Sequence, residues 1–269
     1  MAADDTYEVY ALRYGHHERM ARENFLGGDV HDGPMPLDYF VWAIVGAKRS
    51  FVVDTGFDEN SGGKRKRQML RPPGEGLRSI GLAPESVRDV IITHMDYDHC
   101  GHRDLFPDAR YHIQDKEMQY CTGRCMTHPQ IRGSFEAEDV AAMVHRIFAG
   151  RVEFHDGDAE LAPGLSVHFI GGHTMGLQVV RVMTKRGVVV LASDAAHFYA
   201  HLEQQRAFPT VYNVADMLEG HRTVKRLASS PEHVIPGHDP LVLERYPAPR
   251  PELKGFAVRL DVEPREPKG

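Results

Sequence analysis

Four side chains able to bind a metal, His94, Asp96, Asp98 and His99, fall within the six residues that follow Thr93, in the stretch Thr93-His94-Met95-Asp96-Tyr97-Asp98-His99-Cys100-Gly101-His102. Neither a helical nor a strand period places all four on one face. The run before them, Val90-Ile91-Ile92, reads as a short buried strand. A strand that ends in a tight loop can turn the four inward around an ion, as imidazole and carboxylate ligation of a divalent cation requires. The bland alternative is a polar loop with a chance cluster of His and Asp.

Three further turns repeat that grammar. His173 lies in Gly171-Gly172-His173-Thr174 after an apolar run at 165–170. Asp194 lies in Ala192-Ser193-Asp194 after a run at 187–191. His238 lies in Pro236-Gly237-His238-Asp239 after a run at 233–235. Asp54-Thr55-Gly56 closes another strand-like run, 49–53, and delivers a carboxylate at a turn. One histidine after a strand carries little information, but several such turns beside small residues point to one shared site.

The order of elements supports this. Strands are expected at 7–14, 39–45, 49–53, 88–92 and 110–113, then at 151–155, 165–170, 177–183, 187–192 and 233–235. Helical fragments are expected within 64–81, and helices at 137–148, where Val140, Met143, Val144 and Ile147 share a face, and at 213–227. The loop 16–38 holds Met20, Phe25, Leu26 and Met35 among glycines and reads as a lid. The irregular stretch 120–135 reads as a pocket wall, and the Pro- and charge-rich tail from about 247 as loosely held. No repeat or linker divides the chain, so residues 1–269 read as a single domain. Strands followed by helices, twice over, suit an α/β arrangement of two sheets sandwiched between helices.

Composition excludes some partners. A net charge of -6 over 269 residues offers no footprint for nucleic acid or an acidic membrane. The one basic run, Lys64-Arg65-Lys66-Arg67, reads as a solvated loop or helix start. Seventeen histidines against one tryptophan favour metal chemistry. Three cysteines, Cys100, Cys121 and Cys125, make no disulfide framework and suit a reducing cytoplasm. The acidic start, Met1 to Asp5, lacks the apolar core of a signal peptide, and no apolar run is long enough to span a membrane.

Taken together, Asp54-Thr55-Gly56, the cluster at 94–99, Gly172-His173, Ser193-Asp194 and Gly237-His238 resemble the metallo-β-lactamase superfamily, whose core motif is His-x-His-x-Asp-His. Within it the chain is most similar to the N-acyl homoserine lactonase-like, quorum-quenching hydrolases. The resemblance implies an αββα sandwich with two mixed sheets. It implies one metal held by His94, residue 96 and His173, and a second held by Asp98, His99 and His238. Asp194 would bridge the two, and Asp54 would orient ligands from behind. Zinc is the default ion. The implied reaction is hydrolysis of a lactone or ester by a water activated between the metals, and no Gly-x-Ser-x-Gly nucleophile elbow competes with it. The expected partner is a small-molecule lactone or ester, with a homodimer compatible.

Two departures stand out. Asp96 replaces the motif's second histidine, which adds negative charge and shifts preference toward iron or manganese. Lactonases of this group place a tyrosine three residues after the bridging aspartate, where this chain has His197. His197 and Tyr199 are therefore the candidates for polarising a carbonyl or protonating a leaving alkoxide, with Asp98 the third catalytic candidate. The alternatives are hydrolysis of a cyclic amide or thioester at the same site, an iron-dependent oxidoreductase, and a binding module disabled by Asp96.

Overall fold

A computed structural model describes residues 6–265; the acidic start at Met1–Asp5 lies outside them. Seven strands come first: β1 (Glu8–His17), β2 (Leu37–Val45), β3 (Ser50–Val53), β4 (Gln68–Met69), β5 (Asp89–Ile91), β6 (Arg110–Gln114) and β7 (Val152–His155). Five more follow, β8 (Ala159–Ala162), β9 (Leu165–Phe169), β10 (Gln178–Thr184), β11 (Gly187–Ser193) and β12 (Val234–Pro236), and then β13 (Ala257–Arg259). The first seven with β13 form one sheet in the order β13-β1-β2-β3-β5-β6-β7, with β4 also on β1; the other five form a second in the order β12-β11-β10-β9-β8. Both sheets are mixed, because β3, β5, β6 and β7 run parallel in the first and β11 and β12 run parallel in the second.

The layers follow from which side of each strand is apolar. Phe40, Trp42, Phe51, Val53 and Ile91 face Leu165, Val167, Val180, Val182, Val189 and Leu191 across the space between the sheets. The opposite face of the first sheet, including Val41, Val52, Val90 and Tyr111, packs against Leu77 and Met143. Met143 belongs to the helix Ala137–Phe148, whose bounds match the periodicity. The outer face of the second sheet, Val179, Val190 and Ala192, packs under Val224 of the helix Val214–Leu227. Each side chain fully buried in these layers contributes roughly 1.5–3 kcal/mol of transfer free energy. The architecture is an αββα sandwich.

Two expectations need correction. The tail from 247 is not loose in the described residues: β13 pairs with the outer side of β1, and Leu253, Ala257, Val258 and Leu260 are buried. Its short apolar run is hidden in sequence by flanking prolines and charges, yet it covers an otherwise unpaired edge. The basic run is not simply solvated. Lys64 ends a helix, Arg65 lies over the Tyr97 ring, and Arg67 donates to the Tyr97 hydroxyl. The expected helical fragments within 64–81 include the helix Pro73–Ser79, which follows β4. The loop 16–38 is ordered by a Met20–Pro34 bridge and leans on residues 206–208 through Leu26 N to Ala207 O and Arg206 to Asp29.

Candidate metal centre

Parallel orientation brings the ends of β3, β5, β11 and β12 to the same edge of the sandwich, and the turn after β9 joins them. Asp54 follows β3, the 94–99 loop follows β5, His173 follows β9, Asp194 follows β11 and His238 follows β12. Two backbone positions explain the glycines beside the candidate donors. Gly172 has φ of 86°, and a Cβ there would lie 2.5 Å from the Met217 nitrogen; at Gly237 a Cβ would meet the Ser193 carbonyl oxygen at 2.7 Å. Any larger residue would push the His173 turn off the helix Val214–Leu227 and the His238 turn off that of Asp194.

The donors form two sets. Nε2 of His173 lies 3.2 Å from Nε2 of His94 and 3.1 Å from Oδ2 of Asp96, with His94 and Asp96 3.8 Å apart. Nε2 of His99 lies 3.6 Å from Oδ2 of Asp98, and Nε2 of His238 lies 3.8 Å from the same oxygen. Asp194 stands between the sets. Its Oδ1 is 3.0 Å from His238 and 3.3 Å from His99, whereas Oδ2 is 3.5 Å from His173 and 3.9 Å from His94. Ligands about 2.0 Å from a tetrahedral ion lie about 3.3 Å from each other, which is the spacing seen here. All seven side chains are buried.

The cluster is poorly satisfied as a set of hydrogen bonds alone. Asp96 Oδ1 and His99 Nε2 are buried with no hydrogen-bond partner among the described residues. Burial raises the Asp96 carboxyl, with Asp98 and Asp194 adding to that against His173. Burial also opposes the charge on Asp194, but His238, His197 and His99 hold that carboxyl well below its usual range. Burial and then His99 push the His94 imidazole well down, whereas Asp96 and Asp194 outweigh burial at His173 and raise it to about 9. Three carboxylates among buried imidazoles with unpartnered donor atoms fit a pair of divalent cations.

The outer nitrogens of the histidines are fixed from behind. Asp54 Oδ2 accepts from His99 Nδ1 at 2.7 Å while its carboxylate also takes Thr93 N and Oγ1, both at 2.8 Å. His173 Nδ1 meets Thr210 O at 2.7 Å and His238 Nδ1 meets Asp38 O at 3.0 Å. Asp54 thus sits where the resemblance put it. Sequence reasoning missed Glu117, which is fully buried and accepts from Met95 N, Thr174 Oγ1 and Gly176 N. It braces the loop of His94 against that of His173. The only signal was a glutamate inside an otherwise apolar-faced turn, and the helix around it, Asp115–Cys121, was not anticipated.

The two candidates beyond the bridging aspartate separate. His197 reaches the site, with Nε2 2.8 Å from Asp194 Oδ2 and its ring stacked 3.6 Å from that of Phe208. Tyr199 does not. Its side chain belongs to the core between the sheets beside Val242 and Tyr246, with Arg245 over its ring, and its hydroxyl has no hydrogen-bond partner among the described residues. A helix starts at Tyr199, and its rotation carries that residue away from the face His197 presents. Asp98 stands among the donors.

A cavity of about 230 Å³ opens on Asp96 and His173, walled by Tyr120, Gln130, Ile131 and Phe135 from the 120–135 stretch and by Thr210. That stretch was expected to wall the pocket. A larger cavity, about 330 Å³, lies behind the Gly171–Gly172 turn and contains none of the donors.

This fold with a His/Asp centre at its strand ends defines a family: residues 35–238 match the metallo-beta-lactamase superfamily, and the chain belongs to it. Among individual proteins, it is 27% identical over 182 residues to the N-acyl homoserine lactonase AttM of Azorhizobium caulinodans, covering 61% of this chain and 62% of that protein. It is 26% identical over 133 residues to an N-acyl homoserine lactonase of Bacillus cereus, covering 49% and 48%. The chain therefore spans between about half and three fifths of the length of these relatives. Among solved structures, a quorum-quenching N-acyl homoserine lactone lactonase superposes with a TM-score of 0.71 at 20% identity, covering 88% of this chain and 94% of that one. A probable metal-dependent hydrolase from Staphylococcus aureus gives 0.73 at 15% identity over 99% and 97%. At these identities the structural likeness speaks for the fold.

Proposed function

We propose that the protein is a metal-dependent hydrolase that opens a lactone or cleaves an ester. The observation that supports this best is the division of seven donors into two sets joined by the two oxygens of Asp194. His94, Asp96 and His173 would hold one divalent cation, Asp98, His99 and His238 the other. When bound, such a pair supplies Lewis acidity and lowers the pKa of water toward neutrality. The chain's own groups do the rest. The cavity beside Asp96 and His173 seats the substrate, and its aromatic wall from Tyr120 and Phe135 keeps bulk water away. His197 donates to Asp194 and so sets the tilt of the shared carboxylate, a positioning role.

Two relatives named as lactonases support a lactone over other acyl substrates, and a cyclic amide or thioester remains the alternative at the same site. Zinc is the ion we propose, on the imidazole share of the donors. Asp96, which faces the first set, adds a harder ligand and favours an iron- or manganese-loaded form as the second reading. No described helix is long and apolar enough to cross a membrane, and three free cysteines fit the reducing compartment we assign. The test is metal analysis of purified protein together with a panel of lactones, esters and amides, run beside His99→Ala and His238→Ala. Both variants should lose metal and hydrolysis. Intact activity in either would remove the assignment, and oxygen-dependent turnover by iron-loaded protein without hydrolysis would install the second reading.

A further inference from the structure

The opposite reach of the first sheet holds another set of donors that the metal centre does not use. His112 on β6 and His155 on β7 are both buried, and Nδ1 of His112 lies 3.2 Å from Nε2 of His155. Glu153 pairs with His112 in the strand register, and its carboxylate joins the two imidazoles in a group whose donor atoms all lie within 4.8 Å of one another. Two imidazoles and one carboxylate are the composition of the His94, Asp96 and His173 set, and the 3.2 Å separation equals that between His94 and His173.

The far nitrogen of His112 is also prepared. Nε2 lies 3.1 Å from Asp89 Oδ1, and Arg49 clamps both oxygens of Asp89 at 2.6 and 2.8 Å. A histidine ligand backed by a fixed carboxylate is the usual arrangement behind a bound transition metal, because it fixes the tautomer and raises ligand basicity. With Nε2 donating to Asp89, Nδ1 of His112 carries its lone pair toward His155. Glu153 is half exposed and shared with Arg110 at 3.0 Å, so a cation would compete with that arginine and reach solvent on this side.

We propose that His112, His155 and Glu153 form a third cation site, for zinc or a similar imidazole-preferring divalent ion, with water completing the coordination. Three protein donors plus water is an ordinary zinc environment. The ion would tie β7, whose only ladder partner among the described residues is β6, to the rest of its sheet. Without it, the same atoms form a hydrogen-bonded chain from Asp89 through His112 to His155, and the two states are distinguished by metal content. His155 belongs to none of the groups assigned to hydrolysis, so the inference stands apart from the proposed reaction.

Protein saturated with zinc and desalted is assayed by mass spectrometry for zinc per chain, beside His155→Ala. The wild type should carry one more equivalent than the variant, whatever the occupancy of the main centre. Cobalt-loaded wild type should show a visible component, over the absorption of the main centre, that the variant lacks. Equal zinc in the two, with both folded by circular dichroism, overturns the site. Should His155→Ala not fold, Glu153→Gln carries the test, because that side chain is half exposed. Weakening of the last zinc equivalent by tenfold or more is expected, and an unchanged affinity overturns the proposal.

Discussion

Asp54→Asn tests the metal centre without touching a ligand. Asp54 has φ of 63°, a left-handed conformation that asparagine tolerates far better than alanine, so this substitution spares the backbone. The amide oxygen can keep the Thr93 N–H, and the Thr93 hydroxyl can turn to accept. What is lost is the 2.7 Å contact to His99 Nδ1, where an NH₂ group would now face an N–H. His99 must then rotate or change tautomer, and its Nε2 no longer presents a lone pair toward Asp98, Asp194 and His238. Losing such a supporting carboxylate weakens metal affinity about 10–100-fold, or about 1.4–2.7 kcal/mol. The metal-free fold should change less, because a fully buried carboxylate that burial already pushes toward protonation is replaced by a neutral group. The assay is competition with a calibrated chelator, paired with melting curves of metal-free and metal-loaded protein. Affinity within threefold of wild type would refute the reasoning, as would a loss of stability equal in the presence and absence of metal.

Further outcomes can be checked alongside. Asp96→His should raise zinc occupancy of purified protein, since Oδ2 already faces His173 at 3.1 Å; unchanged stoichiometry would show that the side chain binds no metal. Tyr199→Phe should leave kcat/KM for the best lactone within about twofold and stability within about 1 kcal/mol, because the buried hydroxyl has no partner among the described residues to lose; a tenfold fall in rate would return Tyr199 to the chemistry. His201 accepts from Phe198 N and meets Asn24 O through its other nitrogen, and burial pushes it down to about 3. The unfolded chain therefore takes up the proton first, so stability is complete above pH about 6.5 and falls as pH drops toward 3, by up to about 5 kcal/mol. His201→Gln should flatten that part of the denaturation profile, and an identical slope in the variant would refute the assignment.

The clustering of the candidate donors was legible in sequence because each follows a short apolar run and sits beside a residue small enough for the loops to meet. The helix Ala137–Phe148 was equally plain, since its apolar residues keep helical spacing. The sequence did not reveal Glu117, whose three hydrogen bonds come from loops distant in the chain. Nor did it reveal β13, whose stability comes from the edge of β1 rather than from its own composition. Tyr199 was misplaced because nearness in sequence to Asp194 says nothing about rotation once a helix begins. His112 and His155 were invisible as a pair, because only the parallel register of β6 and β7 brings them together.

One hydroxyl joins the two sheets at the centre: Thr93 Oγ1 contacts Asp54, the ring of His94 and, at 2.9 Å, Ser193 Oγ next to Asp194. Each candidate set draws on both halves of the chain, His173 completing the first and His238 the second. During synthesis, a nascent chain that has emerged only through residue 99 holds neither complete set. On the proposed reading, only the first set can form once β9 is in place, and the second cation is held only after β12 has docked, which makes it a late check that the two halves of the sandwich have met in register.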